Sequence, residues 1–163
     1  MPTGDVIDIR HYQAADAAAV RACFVELQDH EHALDEHAPT GEAIADEYLA
    51  WMFERCARHQ GSVLVARLDG EIVGFSSVLL AMPRTDPDDP VPVHALVQDL
   101  VVRERCRSRG VGARLIAMAE DMAREAGRSE IRVWVVAQNQ GARRFYDRGG
   151  YHEQLIHLGK SLR

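Results

Sequence analysis

Residues 94–126, HALVQDLVVRERCRSRGVGARLIAMAEDMAREA, decide the fold, because they predict a strand, a glycine-containing turn and a helix in succession. Residues 95–102 form an apolar run rich in β-branched side chains, which is typical of a buried strand. After the turn, apolar residues recur at a spacing that lines one helix face: Val111, Leu115, Met118, Ala119, Met122 and Ala126. Gly110 and Gly112 therefore lie where the strand turns into the helix.

This turn has features of an anion-binding site. A helix N-terminus presents unpaired N–H groups and the positive end of the helix dipole. Gly110 and Gly112 carry no Cβ, so the phosphates of a ligand could approach the backbone. Guanidinium groups, which suit phosphate oxygens, crowd the same turn at Arg103, Arg105, Arg107, Arg109 and Arg114. The same residues are equally compatible with a tight turn that has a solvated basic rim.

Length and composition fit one globular domain over residues 1–163. Apolar residues make up 47% of the chain and charged residues 27%, and no apolar run approaches membrane-spanning length. The N-terminus lacks a signal pattern, and the three widely spaced cysteines suggest neither a disulfide framework nor a zinc site, so we expect a cytoplasmic protein. The net charge of −6 argues against nucleic-acid binding and would suit a cationic substrate.

The remaining elements follow from residue patterning. Asp69-Gly70 predicts a tight hairpin turn between two strands. Residues 95–136 are expected to form one right-handed βαβ unit with parallel strands. Strands are predicted at residues 6–10, 62–68, 71–80, 130–136 and 151–158, and helices at residues 16–27 and 41–58, with a short helix that Asn139 caps.

Two polar segments connect these elements. Residues 28–40 are predicted to be a loop that holds a group of histidines and acids: His30, Glu31, His32, Asp35, Glu36 and His37. Their spacing matches no metal-ligand pattern, so we expect no metal, and the segment is either a plain polar loop or an acidic loop that faces the substrate. Residues 85–90, with three acids and two prolines, are either a simple connection or an acidic lip that attracts a cationic acceptor.

Two blocks of sequence resemble the GNAT superfamily of acyl-CoA-dependent N-acyltransferases. The first is similar to the family's motif A, which holds the pyrophosphate of coenzyme A: a strand ending Asp99-Leu100-Val101-Val102, then Arg107-x-x-Gly110-x-Gly112. The second is Asn139-x-x-Ala142-x-x-Phe145-Tyr146, followed by Gly150-Tyr151. The resemblance implies a single-domain α/β (α+β) fold, with a central mixed, mostly antiparallel sheet, one parallel βαβ unit over residues 95–136 and flanking helices.

The resemblance also implies which residues bind acetyl-CoA as the co-substrate. The backbone of Leu100, Val101 and Val102 would pair with the pantetheine arm like an added strand, and an N–H of this strand would polarise the thioester carbonyl. The turn that would hold the pyrophosphate consists of Arg107, Ser108, Arg109, Gly110, Val111, Gly112 and Ala113. Asn139 would bond the pantetheine amide, and Ala142 and Tyr146 would complete the cofactor site.

Acetyl transfer to an amine also requires a proton acceptor and a proton donor. An alkyl amine has a pKa of ~10.4, so only about one molecule in a thousand is neutral at pH 7. Asp99 is the candidate base, although an ordinary Asp pKa of ~3.9 would have to be raised by burial or assisted by a relaying water. Tyr146 is the candidate general acid for the leaving thiolate. Each residue has a structural alternative, as a hydrogen-bonding acid and as a packed aromatic residue.

The sequence therefore predicts transfer of an acetyl group from acetyl-CoA to a primary amine, by direct attack in a ternary complex. The acceptor would be a small cationic molecule, without a nucleic-acid or membrane partner. The oligomeric state stays open, and a homodimer is one alternative because dimers are common in the family. A non-catalytic acyl-CoA sensor and a protein N-terminal or lysine acetyltransferase are the alternatives. A dinucleotide-binding protein is disfavoured, because the turn lacks the third glycine of Gly-x-Gly-x-x-Gly.

Overall fold

A five-stranded sheet in the order β1-β2-β3-β4-β5 forms the centre of the structure, a computed structural model that describes residues 6–162. The strands are β1 (Ile7–His11), β2 (Ser62–Leu68), β3 (Glu71–Pro83), β4 (Val93–Val102) and β5 (Ile131–Val133). The helices are α1 (Ala17–Leu34), α2 (Gly41–Arg58), α3 (Val111–Glu125) and α4 (Gln140–Arg148). Within the described range, every helix is too short or too polar to cross a bilayer.

The direction of the strands confirms the predicted fold class. Each of the first three pairings in the sheet is antiparallel, whereas β4 and β5 are parallel and are joined through α3. Ala95 lies opposite Ile131 and Val97 opposite Val133, so residues 95–136 contain the expected βαβ unit. The hairpin between β2 and β3 is also confirmed: Asp69 has φ +50° and Gly70 has φ +89°, the left-handed pair that a two-residue hairpin turn favours.

The core lies on both faces of the sheet. Along β2, Val63 and Val65 pack into the cluster beneath α1 and α2, whereas Leu64 and Ala66 pack into the cluster beneath α3. Successive residues of a strand point to opposite faces, so a strand covered on both sides is apolar at nearly every position. This double coverage fixes α1, α2 and α3 relative to the end of β4.

The predicted end of α1 and the predicted loop at residues 28–40 were partly wrong, because α1 continues to Leu34. Residues 17–38 contain no proline or glycine, so the helix propagates through the polar residues. Polar side chains of this segment bond the connection to α2: Asp29 Oδ1 accepts from the Gly41 N–H at 2.7 Å, and His32 Nδ1 lies 2.6 Å from the Ala38 carbonyl. Residues 6–162 contain no group of three or more His, Cys, Asp or Glu side chains arranged around a metal position.

The C-terminal strand predictions were also partly wrong. The strand predicted at residues 130–136 is limited to Ile131–Val133, and residues 151–158 form no strand. A strand needs a hydrogen-bonded neighbour, and β5 presents only three residues for pairing. Apolar side chains of this segment consequently lie in solvent, with Leu155 90% and Leu158 85% exposed.

Candidate active site

The sheet opens between β4 and β5. The two strands pair only from Ala95 to Val97, and β4 then continues to Val102 while β5 ends at Val133. Among the described residues, no strand therefore lies beside Leu100 to Val102 on that side. An unpaired strand edge presents N–H and C=O groups to an extended ligand. The Arg107 Nε donates to the Val102 carbonyl at 3.2 Å, which ties the following turn to this edge.

The glycine turn follows β4 and starts α3. Gly110 is the N-cap residue, with φ +85°, and Ser108 has φ +61°, so two of three successive residues are left-handed. The N–H groups at positions 111–113 lie in the first turn of α3, where a helix offers no intrahelical acceptor. The first bond back across the cap is from Arg114 N to Gly110 O, at 3.1 Å. This geometry suits an anion, because several N–H groups converge at the positive end of a helix.

The five arginines around the turn are not equivalent. Arg105 forms an ion pair with Glu71, Arg114 Nη1 donates to the Ile7 carbonyl at 2.5 Å, and Arg103 lies beside the Cys23 thiol. Arg107 and Arg109 are exposed at the turn itself. By their position within the turn between β4 and α3, Arg107 and Arg109 are the candidate guanidinium ligands for a phosphate.

Gly112 makes a contact that the sequence did not reveal. A Cβ at this position would lie 3.4 Å from Cζ of Phe145, which belongs to α4. This is the distance of ordinary van der Waals contact, so α4 packs directly against the start of α3. The two sequence blocks thus meet in space at Gly112 and Phe145.

The residues of the second block occupy α4 as predicted. Asn139 caps the helix, since its Oδ1 accepts from the Ala142 N–H at 3.0 Å. The Tyr146 ring packs edge-on against Phe145 and Tyr151, with centroid separations of 5.2 and 5.5 Å. Its hydroxyl bonds to none of the residues 6–162. Burial raises the pKa of Tyr146, and the charge of Asp99 adds to the effect, so the phenol stays protonated at neutral pH.

Predicted site residues from different parts of the chain meet in a cavity of about 140 Å³ beside the sheet opening. Its lining includes Asp99, Leu100, Asn139, Ala142 and Tyr146. The residues of the glycine turn, 107–113, do not line this cavity. The predicted site therefore divides into a turn at the start of α3 and a separate cavity in which Asp99 and Tyr146 face the same space.

Asp99 is buried and accepts hydrogen bonds on both carboxylate oxygens. The Tyr48 hydroxyl donates to Oδ1 at 2.6 Å, while the Ser77 hydroxyl and, at 3.3 Å, the Gln98 amide donate to Oδ2. Burial raises the pKa of Asp99 above its usual range, and the donors from Ser77, Tyr48 and Gln98 oppose that rise. An ordinary aspartate needs either burial or a relaying water to be an adequate base, and Asp99 meets the first of these conditions.

No sequence pattern had pointed to Tyr48 or Ser77. Ser77 lies opposite Asp99 in the β3–β4 register, so two adjacent serines in an otherwise apolar strand were the available signal. Tyr48 reaches Asp99 from α2, and its ring stacks on Phe24 of α1 at 4.5 Å. Both contacts depend on tertiary packing.

One wall of the cavity comes from α1, where the lining residues are Phe24, Leu27, Gln28 and Glu31. Burial raises the pKa of Glu31, and the negative charge of Asp99 raises it further. The residues that line the cavity include these two acids and no lysine, arginine or histidine. The electrostatic character of the cavity is therefore negative and favours a cation.

A strand edge open beside a glycine turn, with a tyrosine and a buried acid in the adjoining cavity, is an arrangement suited to acyl transfer from a phosphate-bearing thioester. The sequence model of the acetyltransferase (GNAT) family matches residues 24–151, and the chain belongs to this family. It is accordingly an acyl-CoA-dependent acetyltransferase.

Relatives of known name carry related activities. The aminoalkylphosphonate N-acetyltransferase of Salmonella typhimurium is 28% identical over 161 residues, which cover 96% of this chain and 92% of the relative. The aminoglycoside N(6')-acetyltransferase type 1 of Serratia marcescens is 30% identical over 120 residues, which cover 72% of this chain and 82% of the relative. The solved structure of an aminoglycoside N-acetyltransferase in complex with CoA has the same fold, with a TM-score of 0.71 and 21% identity over 98% of each chain.

Proposed function

We propose that this enzyme transfers the acetyl group of acetyl-CoA to a primary amine of a small cationic molecule, by direct attack within a ternary complex. The observation that carries the proposal is the cavity at the sheet opening, which brings Asp99 and Tyr146 together and has an acidic, cation-free lining. The proposal includes one domain over residues 1–163, which is supported by a single sheet with a core on each face.

The residues of the opening fit acetyl-CoA. Gly110 has a left-handed backbone, and a helix N-terminus with exposed Arg107 and Arg109 suits a pyrophosphate. The proposed pyrophosphate ligands are thus Arg107, Ser108, Arg109, Gly110, Val111, Gly112 and Ala113. The open edge at Leu100, Val101 and Val102 would hold the pantetheine arm, and Asn139 and Ala142 would flank its thioester end. When bound, acetyl-CoA supplies an acetyl group that is activated as a thioester.

Tyr146 is the proposed proton donor. As the amine nitrogen bonds to the acetyl carbonyl carbon and the carbon–sulfur bond breaks, the departing sulfur would take the proton of the Tyr146 hydroxyl. Support comes from the place of Tyr146 in the cavity lining and from its hydroxyl, which has no hydrogen-bond partner within the described chain. Its raised pKa keeps the phenol protonated at neutral pH, and transfer of the proton requires negative charge to develop on the sulfur.

Asp99 is the proposed proton acceptor for the amine. Its raised pKa makes it a stronger base than an exposed aspartate. The Tyr48 hydroxyl, which donates to Asp99 and also lines the cavity, would accept a proton from the ammonium group as it passes its own to the carboxylate. In this scheme Ser77 holds the second carboxylate oxygen in place.

A thiol-release assay with acetyl-CoA and a panel of amines tests the proposal. We expect turnover with cationic small amines and none with a peptide amino terminus. If CoA binds but no amine is acetylated, the protein is a sensor of acyl-CoA and the proposed function is wrong. Acetylation of peptides in preference to small amines would instead support a protein acetyltransferase.

Location and assembly are further parts of the proposal. The three free cysteines support a reducing, cytoplasmic location. Multi-angle light scattering distinguishes a monomer from the homodimer that the family resemblance allows. The other proposed partners of the enzyme are acetyl-CoA and the amine acceptor, and they include neither a nucleic acid nor a membrane.

A further inference from the structure

We propose that Glu31 binds a second cationic group of the acceptor, so that the enzyme selects amines with two or more positive charges over amines that carry a carboxylate or a phosphonate. This inference rests on the proposed function, since it concerns the same acceptor cavity. It goes further by assigning a residue to acceptor recognition. It also states the sign of the second charge that the acceptor has at a distance from the reacting nitrogen.

The position of Glu31 follows from the geometry of α1. Phe24, Leu27, Gln28 and Glu31 recur at intervals of three and four residues and share one helix face, which lines the cavity. With a rise of 1.5 Å per residue, Glu31 lies about 10 Å along the helix from Phe24. Phe24 stacks on Tyr48, whose hydroxyl bonds Asp99. Glu31 therefore lies on the α1 wall of the cavity that Asp99 also lines, displaced along the helix from the residue that stacks on Tyr48.

The Glu31 carboxylate has no partner in the part of the chain that the structure describes. Other acids of α1 are engaged: Glu26 accepts from the Glu104 N–H at 2.5 Å and Asp29 accepts from the Gly41 N–H at 2.7 Å. Asp99 is also satisfied, by Tyr48, Ser77 and Gln98. Glu31 alone among these four acids is half-buried beside the cavity and still able to accept hydrogen bonds from a ligand.

The charge of Arg55 acts on Asp99, whereas no cation among the described residues acts on Glu31. The Arg55 Nε donates to Gln98 Oε1 at 2.6 Å, and its guanidinium lies 4.9 Å from the ring centroid of Trp51. Arg55 is thus held behind Gln98 and outside the cavity lining. An acceptor with a phosphonate or carboxylate would place its anion near the Glu31 carboxylate, with no cation in the cavity lining to offset the repulsion, whereas a second ammonium group would be attracted to Glu31.

The rest of the cavity suits the carbon chain between two ammonium groups. Leu27 and Phe24 contribute apolar surface on α1, and Trp134 lies across the opening with 64% of its surface exposed. Aromatic faces attract alkyl ammonium ions as well as methylene groups. An alkyl diamine can therefore place one nitrogen near Tyr48 and Asp99 and the other near Glu31.

The test compares three amines of equal chain length: cadaverine, pentylamine and 5-aminopentanoate. With the wild-type enzyme we expect the highest kcat/KM for cadaverine and the lowest for 5-aminopentanoate. Glu31→Gln should lower kcat/KM for cadaverine about tenfold, in the range of a partly desolvated charge pair, and leave pentylamine unchanged. Glu31→Arg should raise kcat/KM for 5-aminopentanoate. The matched control is Glu36→Gln, which removes an exposed acid outside the cavity and should alter none of the three.

A second readout separates this inference from the proposed function. Calorimetric titration of cadaverine into the CoA-bound protein measures acceptor binding without turnover, and Glu31→Gln should weaken it about tenfold as well. Equal losses for cadaverine and pentylamine, or no loss, would overturn the role of Glu31 while acetyl transfer stands. If no amine is acetylated, the proposed function fails, and the calorimetric comparison still decides whether Glu31 binds the second cation.

Discussion

Tyr146 contributes one hydroxyl to the cavity, and Tyr146→Phe removes it while keeping the ring contacts with Phe145 and Tyr151. Loss of a positioned proton donor is expected to lower kcat and kcat/KM together by about 10²–10⁴-fold. CoA binding, measured by calorimetry, should persist, because its phosphates would lie at the glycine turn.

Tyr151→Phe is the control, since that hydroxyl donates to Glu120 at 3.1 Å and should matter far less. A near-normal kcat for Tyr146→Phe, with chemistry limiting, would assign the acid role to water.

Tyr48 provides a test of Asp99 through the pH profile. The Tyr48 hydrogen bond lowers the pKa of Asp99 against the larger effect of burial. Tyr48→Phe keeps the stacking on Phe24 but removes this donor, so the pKa of Asp99 should rise further. Because the base must be ionised, the acidic limb of the profile of kcat/KM should move to higher pH. An unmoved limb in Tyr48→Phe, or one that also survives in Asp99→Asn, would show that another group is the base.

Among the residues at the candidate cavity, the sequence predicted those that belong to contiguous motifs and missed those that tertiary packing adds. Asn139, Ala142 and Tyr146 share one short helix, so their spacing was informative. Tyr48 is 51 residues from Asp99 in the chain and Ser77 is 22 residues away. Their contacts depend on strand register and on the docking of α2, which local patterns do not encode.

Among the elements, the loop that contains residues 85–90 is anchored to β5 by one ion pair. Arg132 donates to both oxygens of Asp89, at 2.7 and 3.0 Å. This contact, above all, lowers the pKa of Asp89 to about 2. A folded pKa below the unfolded value of ~3.9 contributes stability that is present above about pH 4 and is lost as the pH falls towards 2.

We therefore expect Asp89→Asn to lower the melting temperature at neutral pH, with a difference from wild type that narrows between about pH 4 and about pH 2. Asp88→Asn, at an exposed neighbouring residue, should have little effect at any pH. Thermal unfolding followed by circular dichroism gives both comparisons. A difference that is independent of pH would mean that the pair does not stabilise the fold through the charge of Asp89.

Elements with strong local signals were predicted well, and those that lack a stop signal or a partner were not. The structure of the Asp69-Gly70 turn, and that of the strand-glycine-helix succession, is determined by a few adjacent residues. The end of α1 has no helix breaker, so its last two turns were missed. Residues 151–158 were predicted to be a strand, but pairing requires a neighbour, and β5 ends at Val133.

Across the whole molecule, charge is distributed according to the two proposed substrates. The net charge is −6, yet the turn before α3 carries exposed Arg107 and Arg109, while the acceptor cavity contains Asp99 and Glu31. An anionic co-substrate and a cationic acceptor would thus enter regions of opposite potential that meet at the sheet opening. This separation favours a ternary complex, because neither substrate competes for the other's charged groups.

CoA would contact the glycine turn, the open edge of β4, and α4. These parts come together only in the folded chain, so CoA should bind the folded chain and not the unfolded one. Ligand at about 100 times its Kd stabilises a protein by ~2.7 kcal/mol, which for a chain of this size raises the melting temperature by about 5–10 °C. Arg107→Ala should reduce the shift, whereas Arg105→Ala should preserve it, because Arg105 is paired with Glu71. NAD serves as the control ligand. A shift with NAD and none with CoA would contradict CoA binding at the glycine turn and favour a dinucleotide site there.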